Sequence, residues 1–131
     1  MTEYEFWAEV GGDALKRYQP NELTKMWMDT YSLNQEFYDF CISLRSNSWV
    51  GILTNIDVAR SNLLEKILSV ENSFDFYFPS YKFGVSKDSF ELWNKVNDEI
   101  KEQIPDIKIV YIDDRIEHIV SAEKFNWKGI L

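Results

Sequence analysis

The chain has 131 residues, 45% of them apolar and 16% aromatic, with only five glycines and three prolines. Such a composition excludes a disordered, collagen-like or low-complexity chain and suits one domain with its own core. Fourteen basic against 22 acidic side chains leave a net charge of −8, which repels phosphate backbones and anionic lipid, so neither nucleic acid nor membrane is expected as a partner.

The opening Thr2-Glu3-Tyr4-Glu5 has the spacing of a capping box and predicts a helix ending at Gly11-Gly12. Met1 to Glu5 contain no basic residue, so a targeting leader is not expected there. A second helical stretch is expected over 13–18, stopped before Pro20. Asn21 is the expected N-cap of a third helix, with Leu23, Met26, Trp27 and Tyr31 on one face. Asn34 is the expected cap of a fourth, carrying Phe37, Phe40, Cys41 and Leu44 at helical spacing. Cys41 is the only cysteine. An intrachain disulfide is therefore excluded, and a reduced, cytoplasmic setting is expected.

From residue 49 the pattern changes. The run at 49–53 is short and nearly continuously apolar, as in a strand buried on both faces; 74–78 and 107–112 are further short strands, and 129–131 begins a fourth. Helical periodicity fills 57–70, 88–104 and 115–125 between them. This alternation predicts an α/β fold with a parallel sheet between layers of helices, preceded by a helical portion over 1–48.

Ligands of open parallel sheets gather at the carboxyl ends of strands. Three polar groups lie there: Thr54-Asn55 after the first strand, Lys87 after the second, and Asp113-Asp114 after the third. A hydroxyl, an amide and an ammonium suit phosphate oxygens, and carboxylates suit a hard divalent cation. Each group also has a structural alternative. Thr54 or Asn55 would cap the next helix, Lys87 would be solvated, and the acidic pair would make a turn or a cap.

In order and spacing these segments resemble the haloacid dehalogenase (HAD)-like superfamily of phosphohydrolases, nearest its small phosphatases with a helical cap. Ile52-Leu53-Thr54-Asn55 resembles the motif whose hydroxyl binds the transferred phosphoryl group. The stretch from Ser80 to Lys87 resembles the motif ending in the lysine that stabilises it, and Val110-Tyr111-Ile112-Asp113-Asp114 resembles the motif whose acids hold Mg²⁺. Phe6-Trp7 matches a pair found in such caps. The resemblance implies a three-layer, Rossmann-like parallel-sheet core over 49–131 and a cap-like portion over 1–48, one structural domain overall. It implies Mg²⁺-dependent hydrolysis of a small phosphorylated metabolite. Thr54, Asn55 and Lys87 would bind phosphate, Lys87 would act in catalysis, and Asp113 and Asp114 would hold the metal, the second more directly.

Asp88, His118 and Asn126 stand where the family often has Pro, Asn and Gly. His118, the only histidine, is expected to replace a structural Asn beside the acidic loop. The larger departure is that no Asp-x-Asp occurs in the chain. In the family that motif ends the first, central strand and supplies both nucleophile and acid/base, which covalent catalysis requires. The expectation is therefore a pseudoenzyme, inactive or impaired. The strand gap has three resolutions: the 49–53 and 107–112 strands pair directly, a second copy or another partner donates a strand, or an upstream segment supplies it. In the last two cases the chain would complete an active phosphatase. A non-enzymatic interaction module using the aromatic helices is the remaining alternative.

Overall fold

Helices and short parallel strands alternate along the chain in the computed structural model, which describes all residues from Met1 to Leu131. They gather into two compact units, Met1–Pro79 and Ser80–Leu131.

In the first unit, α1 (Glu3–Val10) begins at the expected capping box. The Glu5 amide donates to Thr2 Oγ1, and the Thr2 amide donates to Glu5 Oε2. Residues 12–16 form a 3-10 turn rather than a full helix. Helix α2 (Pro20–Met28) starts one residue before the expected cap. Pro20 takes the first helical position, where its missing N–H costs nothing, and Gln19 with Glu22 satisfies the free amides. Helix α3 (Gln35–Ser43) is capped by Asn34 as expected. The first strand, β1, is Gly51–Thr54, and Asp57 then caps α4 (Val58–Leu68). A short α5 (Val70–Ser73) leads into β2 (Phe76–Pro79). Strands β1 and β2 pair in parallel, Gly51 opposite Phe76 and Thr54 opposite Pro79.

Aromatic rings join the helices of this unit. Phe6, Trp7 and Trp27 cluster with centroids 5.2–5.7 Å apart. The Arg60 guanidinium lies 4.2 Å over Trp27 and reaches back to Asp57, so α4 is held by both charge and cation–π contact.

The second unit consists of α6 (Phe90–Gln103), β3 (Val110–Ile112), α7 (Ile116–Glu123) and β4 (Lys128–Ile130). Helix α6 buries Leu92, Trp93, Val96, Asn97 and Ile100 at three- and four-residue spacing. Strands β3 and β4 pair in parallel, Tyr111 opposite Gly129. A Cβ on Gly129 would stand 2.3 Å from Ile119 Cγ2, so glycine is what lets β4 lie against α7. Asn126 has φ 60, a left-handed conformation that Asn tolerates far better than branched residues.

Two expectations about the sheet are corrected. The strands form two separate two-stranded sheets, β1–β2 and β3–β4, so the direct pairing of the 49–53 and 107–112 runs is not made. Nor is the first run buried on both faces: Gly51 is exposed and Ile52 to Thr54 are only half-buried. Strand β3 is more open still, with Val110 57% exposed. In β3 only the Tyr111 face is covered, because a two-stranded sheet packed on one side leaves its alternate residues to solvent.

Candidate functional site

The candidate site lies at the carboxyl end of β3, in the second unit. The strand ladder runs one residue past β3, because the Asp113 amide donates to the Ile130 carbonyl at 3.2 Å. Asp113 is thereby fixed at the strand end, with its side chain on the same face as Tyr111, two residues earlier. Opposite it, Lys87 stands in the loop that leads to α6. That loop is held by Trp93, whose indole N–H donates to the Lys87 carbonyl at 2.7 Å. Trp93 has no exposed surface, and its ring meets Tyr111 edge-on at 5.0 Å. One buried ring therefore sets both the lysine backbone and the tyrosine that faces it.

The side chains converge tightly. Lys87 Nζ donates to Asp113 Oδ2 at 2.7 Å, and the two side chains are 11% and 7% exposed. The Tyr111 hydroxyl donates to the same Oδ2 at 2.6 Å and lies 3.3 Å from Lys87 Nζ. The other carboxylate oxygen, Oδ1, accepts from the Arg115 amide at 2.9 Å and lies 3.1 Å from His118 Nδ1. Burial alone would raise the Asp113 carboxyl, but hydrogen bonds from Lys87, Tyr111 and the Arg115 amide, with the lysine charge, hold it far below the usual carboxylate range. Burial, the hydrogen bond to Asp113 and the charges of Asp113 and Asp114 push the Tyr111 phenol well above its ordinary value.

Of the residues singled out in the sequence, Lys87 and Asp113 are brought together. Lys87 is not solvated, and Asp113 is a partner of a distant lysine rather than a simple turn residue. His118 sits beside the acidic loop, as expected, with its Nδ1 toward Asp113. Asp114 is exposed. Thr54 and Asn55 belong to the first unit, where Thr54 ends β1 half-buried. Neither caps α4, because Asp57 does so by accepting from the Arg60 amide at 3.0 Å. The helix-cap alternative for Thr54 and Asn55 is thereby removed. The sequence marks Tyr111 only as a strand residue within the segment ending in Asp113-Asp114, and Trp93 only as an apolar helix residue. The signal for Tyr111 was its place two positions before Asp113 on one strand face.

A two-carboxylate Mg²⁺ site does not fit these residues. No group of three or more His, Cys, Asp or Glu side chains is arranged to hold a metal. The four lone-pair directions of Asp113 are all directed at protein groups. Only Asp114 of the pair presents an open carboxylate.

No protein-family model matches the chain, and no curated protein matches it. Solved structures do. A HAD family enzyme from Bacteroides thetaiotaomicron, an aspartate-to-alanine mutant in complex with magnesium and inorganic phosphate, superposes with a TM-score of 0.79 at 18% identity, covering 99% of this chain and 69% of that one. A second structure of a HAD family enzyme from the same organism gives a TM-score of 0.81 at 18% identity, with 99% and 66% covered. The chain thus spans about two thirds of the length of these neighbours. Its fold is that of HAD family enzymes.

Proposed function

We propose that the chain is a HAD-like hydrolase homologue that binds a phosphate-bearing small molecule and is catalytically silent as it stands. The observation that carries this reading is the buried Lys87–Asp113 pair at the end of a parallel strand, in a fold shared with an enzyme whose structure contains phosphate. A buried ammonium held by one carboxylate is a preformed cation for an incoming phosphate dianion. In this scheme the Lys87 ammonium receives the phosphate oxygens, and Asp114 is the carboxylate left to meet a divalent cation. The 1–48 helices are the cap-like portion and 49–131 the core. Turnover is absent because no Asp-x-Asp supplies the attacking carboxylate and its acid/base partner.

The test is a phosphatase assay on the purified full chain, with Mg²⁺ and an aryl phosphate, beside calorimetric titration with inorganic phosphate. Phosphate binding that weakens in Lys87→Ala, without turnover above the blank, is the expected result. Turnover that Lys87→Ala abolishes overturns the silence. Phosphate binding that Lys87→Ala leaves intact overturns the binding scheme.

One observation favours a second reading, a phosphatase completed by an added strand. Strands β1 and β3 each pair on one side only, and unpaired edges accept strands. Activity that appears only with a second protein or an extended chain would select it.

A further inference from the structure

We propose that Tyr111 and His118 are positioning residues that saturate the Asp113 carboxylate and so close it to divalent cations, leaving Asp114 as the only open acid of the pair. The inference rests on the hydrogen-bond geometry of the second unit and not on the phosphate reading, so its test contains no phosphate.

An ionised carboxylate offers about four lone-pair directions. At Asp113, Oδ2 takes Lys87 Nζ at 2.7 Å and the Tyr111 hydroxyl at 2.6 Å. Oδ1 takes the Arg115 amide at 2.9 Å and faces His118 Nδ1 at 3.1 Å. Because a carboxylate only accepts, the His118 proton is assigned to Nδ1 from its partner. Lysine and a backbone amide alone would leave one direction open on each oxygen. Tyr111 fills one and His118 the other.

Neither residue is free to swing away. The Tyr111 ring is held edge-on by Trp93 at 5.0 Å and lies 6.0 Å from Trp127. His118 is 3% exposed, and its Nε2 is buried without a hydrogen-bond partner, 3.5 Å from Asp88 Oδ1. A cation reaching Asp113 must displace a hydrogen-bond donor and stand beside the Lys87 ammonium, where repulsion is weakly screened. Asp114 carries no such cost, because its side chain is exposed.

The test is titration of the full chain with Mn²⁺, followed by electron paramagnetic resonance, and with Mg²⁺ by calorimetry. Asp113→Asn is expected to leave cation affinity unchanged within about twofold, whereas Tyr111→Phe raises it about tenfold by freeing one lone pair of a charged acceptor. Adding Asp113→Asn to Tyr111→Phe removes that gain. A purely structural tyrosine would lower stability without raising affinity. A tenfold loss of cation binding in Asp113→Asn overturns the proposal, as does a folded Tyr111→Phe variant with unchanged affinity. If the variants fail to fold, the wild-type chain still decides. His118 is the only histidine, so its Nδ1–H resonance is identifiable. Persistence of that resonance through an Mg²⁺ titration supports the seal, and its loss overturns it.

Discussion

Each unit holds an aspartate–cation pair surrounded by aromatic rings, and the two pairs do different work. In the first unit Asp57 and Arg60 are three residues apart on one helix start, with Phe6 and Trp27 against the guanidinium. In the second, Asp113 and Lys87 come from separate segments, joined through Tyr111 and Trp93. A local pair reports on its own helix. A pair drawn from distant segments fixes two loops against each other, and it presents a lysine that no single element would position. The contrast shows why the second pair is the candidate site and the first is a cap.

The largest expected difference comes from breaking each pair. Lys87→Met leaves the Asp113 charge buried with only the Tyr111, His118 and Arg115 amide hydrogen bonds and no ammonium to balance it, and should cost about 3 kcal/mol in urea unfolding. Arg60→Met leaves Asp57 more accessible and still hydrogen-bonded to the Arg60 backbone amide, and should cost about 1 kcal/mol. Equal losses would remove the distinction.

Acid sharpens the same comparison. The folded Asp113 carboxyl lies below its unfolded value, so its stabilisation is complete above the ordinary carboxylate pKa, about 4. It is lost only as pH falls below that value, toward the depressed folded one. The stability gap between the wild type and Asp113→Asn should therefore be flat from neutral pH to about 5 and should narrow only in stronger acid. A gap that closes near pH 6 would mean that another group carries it.

A smaller effect separates ring packing from the hydrogen bond that holds the lysine loop. Trp93→Phe keeps most of the buried area but removes the N–H donated to the Lys87 carbonyl. It should cost about 1–3 kcal/mol, and phosphate affinity should fall further than stability alone explains. Trp27→Phe in the first unit keeps a ring beside Arg60 and should leave phosphate affinity unchanged.

What was legible in the sequence was mostly local. The Thr2–Glu5 box and the Asn34 cap are fixed within four residues, and the structure keeps both. The start of α2 was missed for an equally local reason, because Pro20 favours the first helical position over a cap at Asn21. Strand bounds are legible only to within one to three residues, since β1 begins at Gly51 with Trp49 outside it and β3 begins at Val110 rather than 107. Burial was misjudged because an apolar run cannot report how many strands lie beside it. Val110 and Ile112 have the composition of a central strand and stand exposed in a pair. At the site, Lys87 and Asp113 were legible as chemistry at strand ends. Tyr111 was not, because its hydroxyl matters only once Lys87, 24 residues away, is folded against it.

The smallest expected effect lies at the other end of the chain. Helix α1 has eight residues, none fully buried, and is held by its Phe6 and Trp7 rings against Trp27 and by the Trp7 indole N–H donated to Thr24 Oγ1, so its cap restrains only the first turn. Thr2→Ala removes the hydroxyl that accepts from the Glu5 amide at 3.2 Å, while the Thr2 amide can still donate to Glu5 Oε2. Half of the box therefore survives, and fraying should stay local. Hydrogen exchange should quicken at the amides of Glu5 and Phe6, the latter bonded to the Thr2 carbonyl at 3.0 Å. Exchange at Trp93 and Tyr111 should not change. Faster exchange at those two residues as well would show that the first helix and the candidate site open together, and the contrast between a local pair and a long-range one would then no longer separate the units.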